Sequence, residues 1–249
     1  MTRLIQSQSV IKMNRRHFIV GAAAAATVLP SSEFAFAQNA GPFAQAPLGY
    51  AFDALEPHID TKTMETHYLR HHGSFIGNLN NFAKQHGVMG SAPVHKLLAE
   101  WQQLPDAIRI GAKNNLGGHA NHTMFWQIMA PGGAKEPDAA LKAAIDRDLG
   151  GFDKMKADFN AAGLRVFGSG WVFVTVARDG KLAIVTRPGQ DNPIMDGQMV
   201  LFGNDVWEHA YYLKYQNRRN EYLANWWNVA NWSVIGKRFA AAQAGTLEI

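Results

Sequence analysis

Several histidines and one aspartate stand at spacings that suit a metal ion. His67 and His71 are four residues apart and so share a helix face, and His72 follows directly. His119 and His122 are three apart. In DVWEH, residues 205–209, Asp205 and His209 are four apart, close enough to reach one ion from a strand end and a helix start. Three neutral imidazoles and one carboxylate suit a first-row transition metal with an open position. Composition alone does not choose among iron, manganese and zinc. Each residue also has a plainer alternative. A buried histidine is more often a hydrogen-bonded core residue than a ligand, and Asp205 could cap the final helix. His58, His86 and His95 lie near loops and read as surface residues. No serine or cysteine arrangement supplies a covalent nucleophile.

Particular elements must hold these residues. Met64, Tyr68, Phe75, Leu79 and Phe82 are spaced for one face of a helix from about residue 60 to 84, after an extended arm over 38–57. Gly87, Gly90 and Pro93 interrupt that helix. A shorter one is expected over 93–103, ended by Pro105. A third, 114–129, carries His119 and His122. PGGAKEP at 131–137 has no apolar period and marks the best domain boundary. Helices are expected next at 138–149 and 153–164, with Asp153 as the N-cap of the second. The period then changes to that of strands. GWVFVTVA (170–177) and KLAIVTR (181–187) flank Arg178–Asp179–Gly180, a hairpin signal, and a third strand is expected at 198–203. From 207 to 241 the pattern returns to helix. The expected fold class is α+β: an N-terminal helical hairpin (38–130), then a C-terminal domain (131–249) with a small three-stranded antiparallel sheet flanked by helices.

Residues 1–37 read as a cleaved export signal. Arg15 and Arg16 precede a short apolar run, GAAAAATVL, which Pro30 breaks, and AFA at 35–37 is a small-x-small cleavage site. The arginine pair points to the twin-arginine route, hence to a periplasmic or secreted protein. The run is too short for a membrane span of about 20 residues. Cleavage would remove four of the 24 basic residues and one of the 20 acidic ones. The mature chain is then nearly neutral, which gives no reason to expect nucleic acid or a membrane surface as a partner. The chain has no cysteine, so packing, metal or oligomerisation must stabilise it without disulfides.

Four segments carry a family resemblance: THYLRHH (66–72), NNLGGHANHTMFW (114–126), FGSGW (167–171) and DVWEHAYYLKYQNRR (205–219). In this order and separation they resemble the iron/manganese superoxide dismutases over about residues 47–241. The resemblance implies one metal ion per subunit on His67, His122, Asp205 and His209, with solvent in a fifth position. It implies that His71 lines the substrate funnel and that Trp126, Trp171 and Trp207 wall the metal. It implies a homodimer, or a dimer of dimers, in which Glu208 reaches the partner's metal-site histidine and Tyr212 the partner's funnel histidine. Arg218 and Arg70 would draw in the superoxide anion.

The metal type rests on two positions. The iron type commonly places a glutamine four residues before the second histidine ligand, where this chain has Gly118. The manganese type supplies it from the C-terminal domain, where GQDNPIM (189–195) carries Gln190. Manganese is therefore the expected cofactor, with iron as the alternative. The expected activity is conversion of superoxide to dioxygen and hydrogen peroxide; the alternative is a non-catalytic metal-binding protein on the same scaffold. One position departs from the family pattern: Phe75, four residues after His71, stands where a tyrosine is usual.

Overall fold

The structure is a computed structural model that describes residues 41–248. The leader expected over 1–37 lies outside the described residues. Among the described residues no helix is long and apolar enough to cross a membrane.

The first long helix starts at Asp60, whose side chain accepts from the Thr63 amide at 2.8 Å and so caps it. It runs as α1 (Thr61–Thr66), passes through a π turn at His67–His72, and continues as α2 (Gly73–Gln85). The π turn was not anticipated, and it matters for the site. In a regular α-helix, positions five apart point about 140° away from each other. In a π turn the backbone bonds run five residues, so His67 and His72 fall on one side.

α3 (Val94–Ala99) leads to α4 (Arg109–Gln127), which packs antiparallel to α2 in the hairpin. α4 begins five residues earlier than the sequence pattern suggested. The seam between α2 and α4 is apolar, with Ile76 and Leu79 meeting Ala112, Leu116 and Ala120. Phe43, from the arm, joins the same cluster. Its backbone N–H and C=O are both held by the buried Asn80 side chain, at 3.0 and 2.9 Å.

α5 (Ala139–Leu149) and α6 (Phe152–Arg165) follow. Asp153 is not the N-cap of α6: Gly151 holds that position with φ of 110°, and Asp153 lies in the first turn. The Gly150–Gly151 pair, both at positive φ, turns the chain so tightly that the helix starts one residue early. Of these two helices it is α5 whose N-cap, Asp138, makes a side-chain bond.

The three strands, β1 (Gly170–Val176), β2 (Leu182–Pro188) and β3 (Met199–Asp205), form an antiparallel sheet in the order β2-β1-β3. β1 is buried along its whole length, and Trp171 stands opposite Asp205 in the register. The sheet and α6 share a core with the C-terminal helices, where Phe159, Phe202, Trp226 and Trp232 pack together.

The segment 207–241 is not one helix. It divides into α7 (Tyr212–Tyr215), α8 (Arg219–Trp226) and α9 (Trp232–Gln243). Gln216 has a positive φ of 54°, uncommon outside glycine, which ends α7. The aromatic spacing there reflects burial from several directions rather than one helical face.

Candidate metal centre

Four side chains from four places in the chain converge. His67 comes from the π turn, His122 from the middle of α4, Asp205 from the last residue of β3, and His209 from the short turn that follows. His67, His122 and Asp205 are buried and His209 nearly so. Their ligand atoms all lie within 4.8 Å of one another. Asp205 Oδ2 is 3.1 Å from His67 Nε2, 3.3 Å from His209 Nε2 and 3.7 Å from His122 Nε2. His67 Nε2 and His122 Nε2 are 2.9 Å apart. Atoms about 2.1 Å from a common centre are separated by roughly 3.0 Å at right angles and roughly 3.6 Å at 120°, so the separations of 2.9–3.7 Å are the right size for an ion.

The donor chemistry fits as well. His122 Nδ1 donates to the Gly118 carbonyl at 2.6 Å. Its proton is therefore on the far side, and Nε2 turns a lone pair inward. Asp205 Oδ1 accepts from the Trp207 amide at 2.8 Å, which aims Oδ2 at the histidines. Burial lowers the His67 pKa to about 4 and holds His122 well below the ordinary histidine value. For Asp205, burial pushes upward, but the His209 and His67 imidazoles outweigh it and hold the carboxyl below its usual range. Lone pairs and a carboxylate gathered in a buried space repel one another unless a cation sits among them. One metal ion bound by these four residues resolves that conflict.

Aromatic rings close the surroundings. Trp126 is edge-on to His67 at 5.0 Å, Trp171 edge-on to His122 at 5.4 Å, and Trp207 lies over His209 at 5.4 Å. His71 stacks on His209 at 4.0 Å and is half-buried, so it stands between the site and solvent.

Gln190 is buried beside this cage. Its Oε1 accepts from Trp171 Nε1 at 3.0 Å and from Asn121 Nδ2 at 3.1 Å, and Asn121 also holds the Gln190 carbonyl at 3.1 Å. That leaves Nε2 as a buried donor with no partner among the described residues. Such a group costs stability unless a ligand satisfies it. A solvent molecule on the ion's open side would do so. At Gly118 an added Cβ would lie 2.7 Å from the Phe75 ring, so with Phe75 in place no side chain can enter from that position. Gln190 is the amide positioned to serve.

Other residues divide more unevenly. Glu208 is exposed, and Tyr212 is 44% exposed. Arg70 is exposed, and Arg218 shares its charge with Glu221 at 3.0 Å. It is the next residue, Arg219, that turns inward, donating to Tyr211 Oη at 3.0 Å and to the carbonyls of Val166 and Gly168 at 2.7 and 2.8 Å. Sequence reasoning assigned no role to Asn121, to Arg219, or to the buried pair His72 and His119. Adjacency to His122 is the one signal that could have marked Asn121.

The chain matches "Iron/manganese superoxide dismutases, alpha-hairpin domain" over residues 42–130 and "Iron/manganese superoxide dismutases, C-terminal domain" over 137–238. It is 49% identical over 207 residues to a manganese superoxide dismutase of Leptolyngbya boryana, covering 82% of this chain and 84% of that one. It is 48% identical over 201 residues to the manganese superoxide dismutase of Thermus thermophilus, covering 81% and 98%. With that of Pseudomonas aeruginosa the identity is 47% over 203 residues, covering 82% and 100%.

Proposed function

The chain belongs to the iron/manganese superoxide dismutase family, and on that footing we propose that it dismutes superoxide with a manganese ion held by His67, His122, Asp205 and His209. The observation that carries this is the buried cage of three imidazoles and a carboxylate with an unpartnered amide donor, Gln190 Nε2, beside it. The ion would supply one-electron oxidation and reduction in turn. The chain's own residues do the rest. Asp205 and the neutral imidazoles fix the charge of the site. Trp126, Trp171 and Trp207 restrict water around it. Asn121 and Trp171 hold Gln190 so that Nε2 faces a ligand, and His71 offers ring nitrogens between the site and bulk water for delivery of the two protons peroxide needs. Burial, and then His209, lower the His71 pKa, which favours the neutral ring. Protein purified from its native host should contain about one manganese per chain and remove superoxide. Stoichiometric metal without superoxide removal would support a metal-binding protein on the same scaffold instead.

Phe75 sets the proton path apart. Its ring lies 5.3 Å from the His122 ring and against Gly118, and it brings no hydroxyl to the network around Gln190. Phe75→Tyr should raise the rate at high superoxide and shift the pH profile, with metal content unchanged. If both the high-superoxide rate and the pH profile stay as they were, protons reach the site by another route.

The dimer is proposed to form through the face that carries Glu208 and Tyr212. What supports this is exposure: Phe167 is wholly exposed, Leu213 is 57% exposed, and Arg219 ties the loop of Phe167 to Tyr211, next to Tyr212. Glu208→Ala should weaken assembly and activity together, read by sedimentation and by assay across a dilution series. A fully active monomer at high dilution would contradict it.

Export by the twin-arginine route is proposed from Arg15, Arg16 and the AFA site alone. Replacing both arginines with lysine should retain the precursor in the cell. Normal export of that variant would argue for the general secretory route.

A further inference from the structure

We infer, on the footing of the four-ligand centre proposed above, that Gln45 in the N-terminal arm is a positioning residue for the metal, acting through His72 and the π turn. The half-buried Gln45 side chain places Nε2 2.8 Å from the Tyr68 carbonyl and 3.1 Å from His72 Nδ1. A carbonyl only accepts, so the nitrogen end of the amide faces Tyr68 and its second hydrogen is free for His72. Trp126 Nε1, which only donates, lies 3.0 Å from the same His72 nitrogen. Nδ1 of His72 is therefore the acceptor and its proton sits on Nε2, which donates to His119 Nδ1 at 2.8 Å.

Two donors that share the Nδ1 lone pair and one acceptor at Nε2 thus fix the plane of a ring that is not among the four ligands. That ring lies nearly parallel to the ligand His122, 5.6 Å away at 23°. Trp126, the other donor to His72, packs edge-on to the ligand His67. The Tyr68 contact acts on the backbone. Tyr68 belongs to the π turn, where the shifted ladder frees carbonyls from their α-helical partners. A donor from outside the helix steadies that register, and the register puts His67 and His72 on one side. Gln45 touches no ligand, yet both of its bonds end on groups that decide where a ligand can sit.

The test uses the full chain loaded with manganese and compares two variants. Gln45→Leu fills similar space, so water does not simply replace the amide in the adjoining cavity of about 40 Å³ lined by His72, Thr123 and Trp126. Asn80→Ala releases the other anchor of the arm, at Phe43, without touching His72. Gln45→Leu should speed manganese loss to excess chelator about tenfold, in the range seen when an outer partner of a ligand is removed. It should also change the electron paramagnetic resonance splitting of bound Mn(II). Asn80→Ala should lower the thermal midpoint but leave metal loss and the spectrum near the parent's. Parent-like metal loss and spectrum in Gln45→Leu would overturn the inference. So would equal acceleration by Asn80→Ala, which would make arm docking in general the cause. A parent chain that holds no manganese at all would instead bring down the metal centre itself, and this role of Gln45 with it.

Discussion

His122→Ala is expected to give a folded chain with almost no bound metal and no superoxide removal above background. His122 is fully buried in α4, with its Nδ1 committed to the Gly118 carbonyl and its Nε2 to the cage. Removing it leaves His67, Asp205 and His209, a three-ligand remnant. Loss of an outer partner already costs about 10–100-fold in metal affinity, and loss of a ligand should exceed the upper figure. The rest of the α2–α4 seam is apolar and does not depend on the imidazole, so helix content should persist. Metal analysis, circular dichroism and a rate assay on one preparation decide the matter. Full activity with stoichiometric metal in this variant would show that the site is assigned to the wrong residues.

Gly117→Ala is expected to damage turnover without emptying the site. A Cβ at Gly117 would lie 2.0 Å from the Gln190 carbonyl oxygen, which is backbone and cannot swing aside. The loop is also pinned from other directions. Asn121 holds the same carbonyl, Asn192 donates to Asn121 Oδ1 at 2.7 Å, and Lys113 pairs with Asp191 at 2.6 Å. The methyl must displace this loop as a unit and carry Gln190 Nε2 away from the cage. Overpacking of this kind costs about 1–3 kcal/mol of stability. A displacement near 1 Å can cost on the order of 100-fold in rate. The four ligands are untouched, so manganese content should hold. Rates measured on samples matched for metal, alongside thermal melts, separate the two effects. A melt shifted downward with a parent-like rate would mean that the placement of Gln190 does not limit turnover.

What the sequence disclosed, and what it hid, follows from the kind of information each feature needs. The apolar period of two marked the strands, and DVWEH joined a carboxylate and an imidazole within one segment. Convergence of His67, His122, Asp205 and His209 was legible only through the family resemblance, because spacing alone says nothing about which distant elements meet. The π turn was invisible, since it is a change of backbone partners that leaves side-chain types unaltered. The break at Gln216 was hidden for a related reason. Trp207, Tyr211 and Tyr215 are four apart and mimic one helical face, while Trp207 and Tyr211 in fact lie outside α7. Arg219, to which the sequence assigned no role, turns inward there, while Arg218 pairs with Glu221 on the surface. His72 and His119 had no role assigned from the sequence, and only their mutual 2.8 Å bond reveals a supporting pair.

The wide separation of the ligands along the chain makes the ion a cross-link as well as a redox centre. His122 lies 55 residues beyond His67, and Asp205 lies 83 beyond His122. Holding those ends together closes two large loops in a chain with no cysteine to do so covalently. By the chain-entropy relation used for disulfides, loops of this size are each worth about 4 kcal/mol. An ion gives that only while it stays bound, since ligation is linked to folding. Resistance to heat and denaturant should therefore track the supply of metal, and a starved chain would loosen first where the helical hairpin meets the sheet.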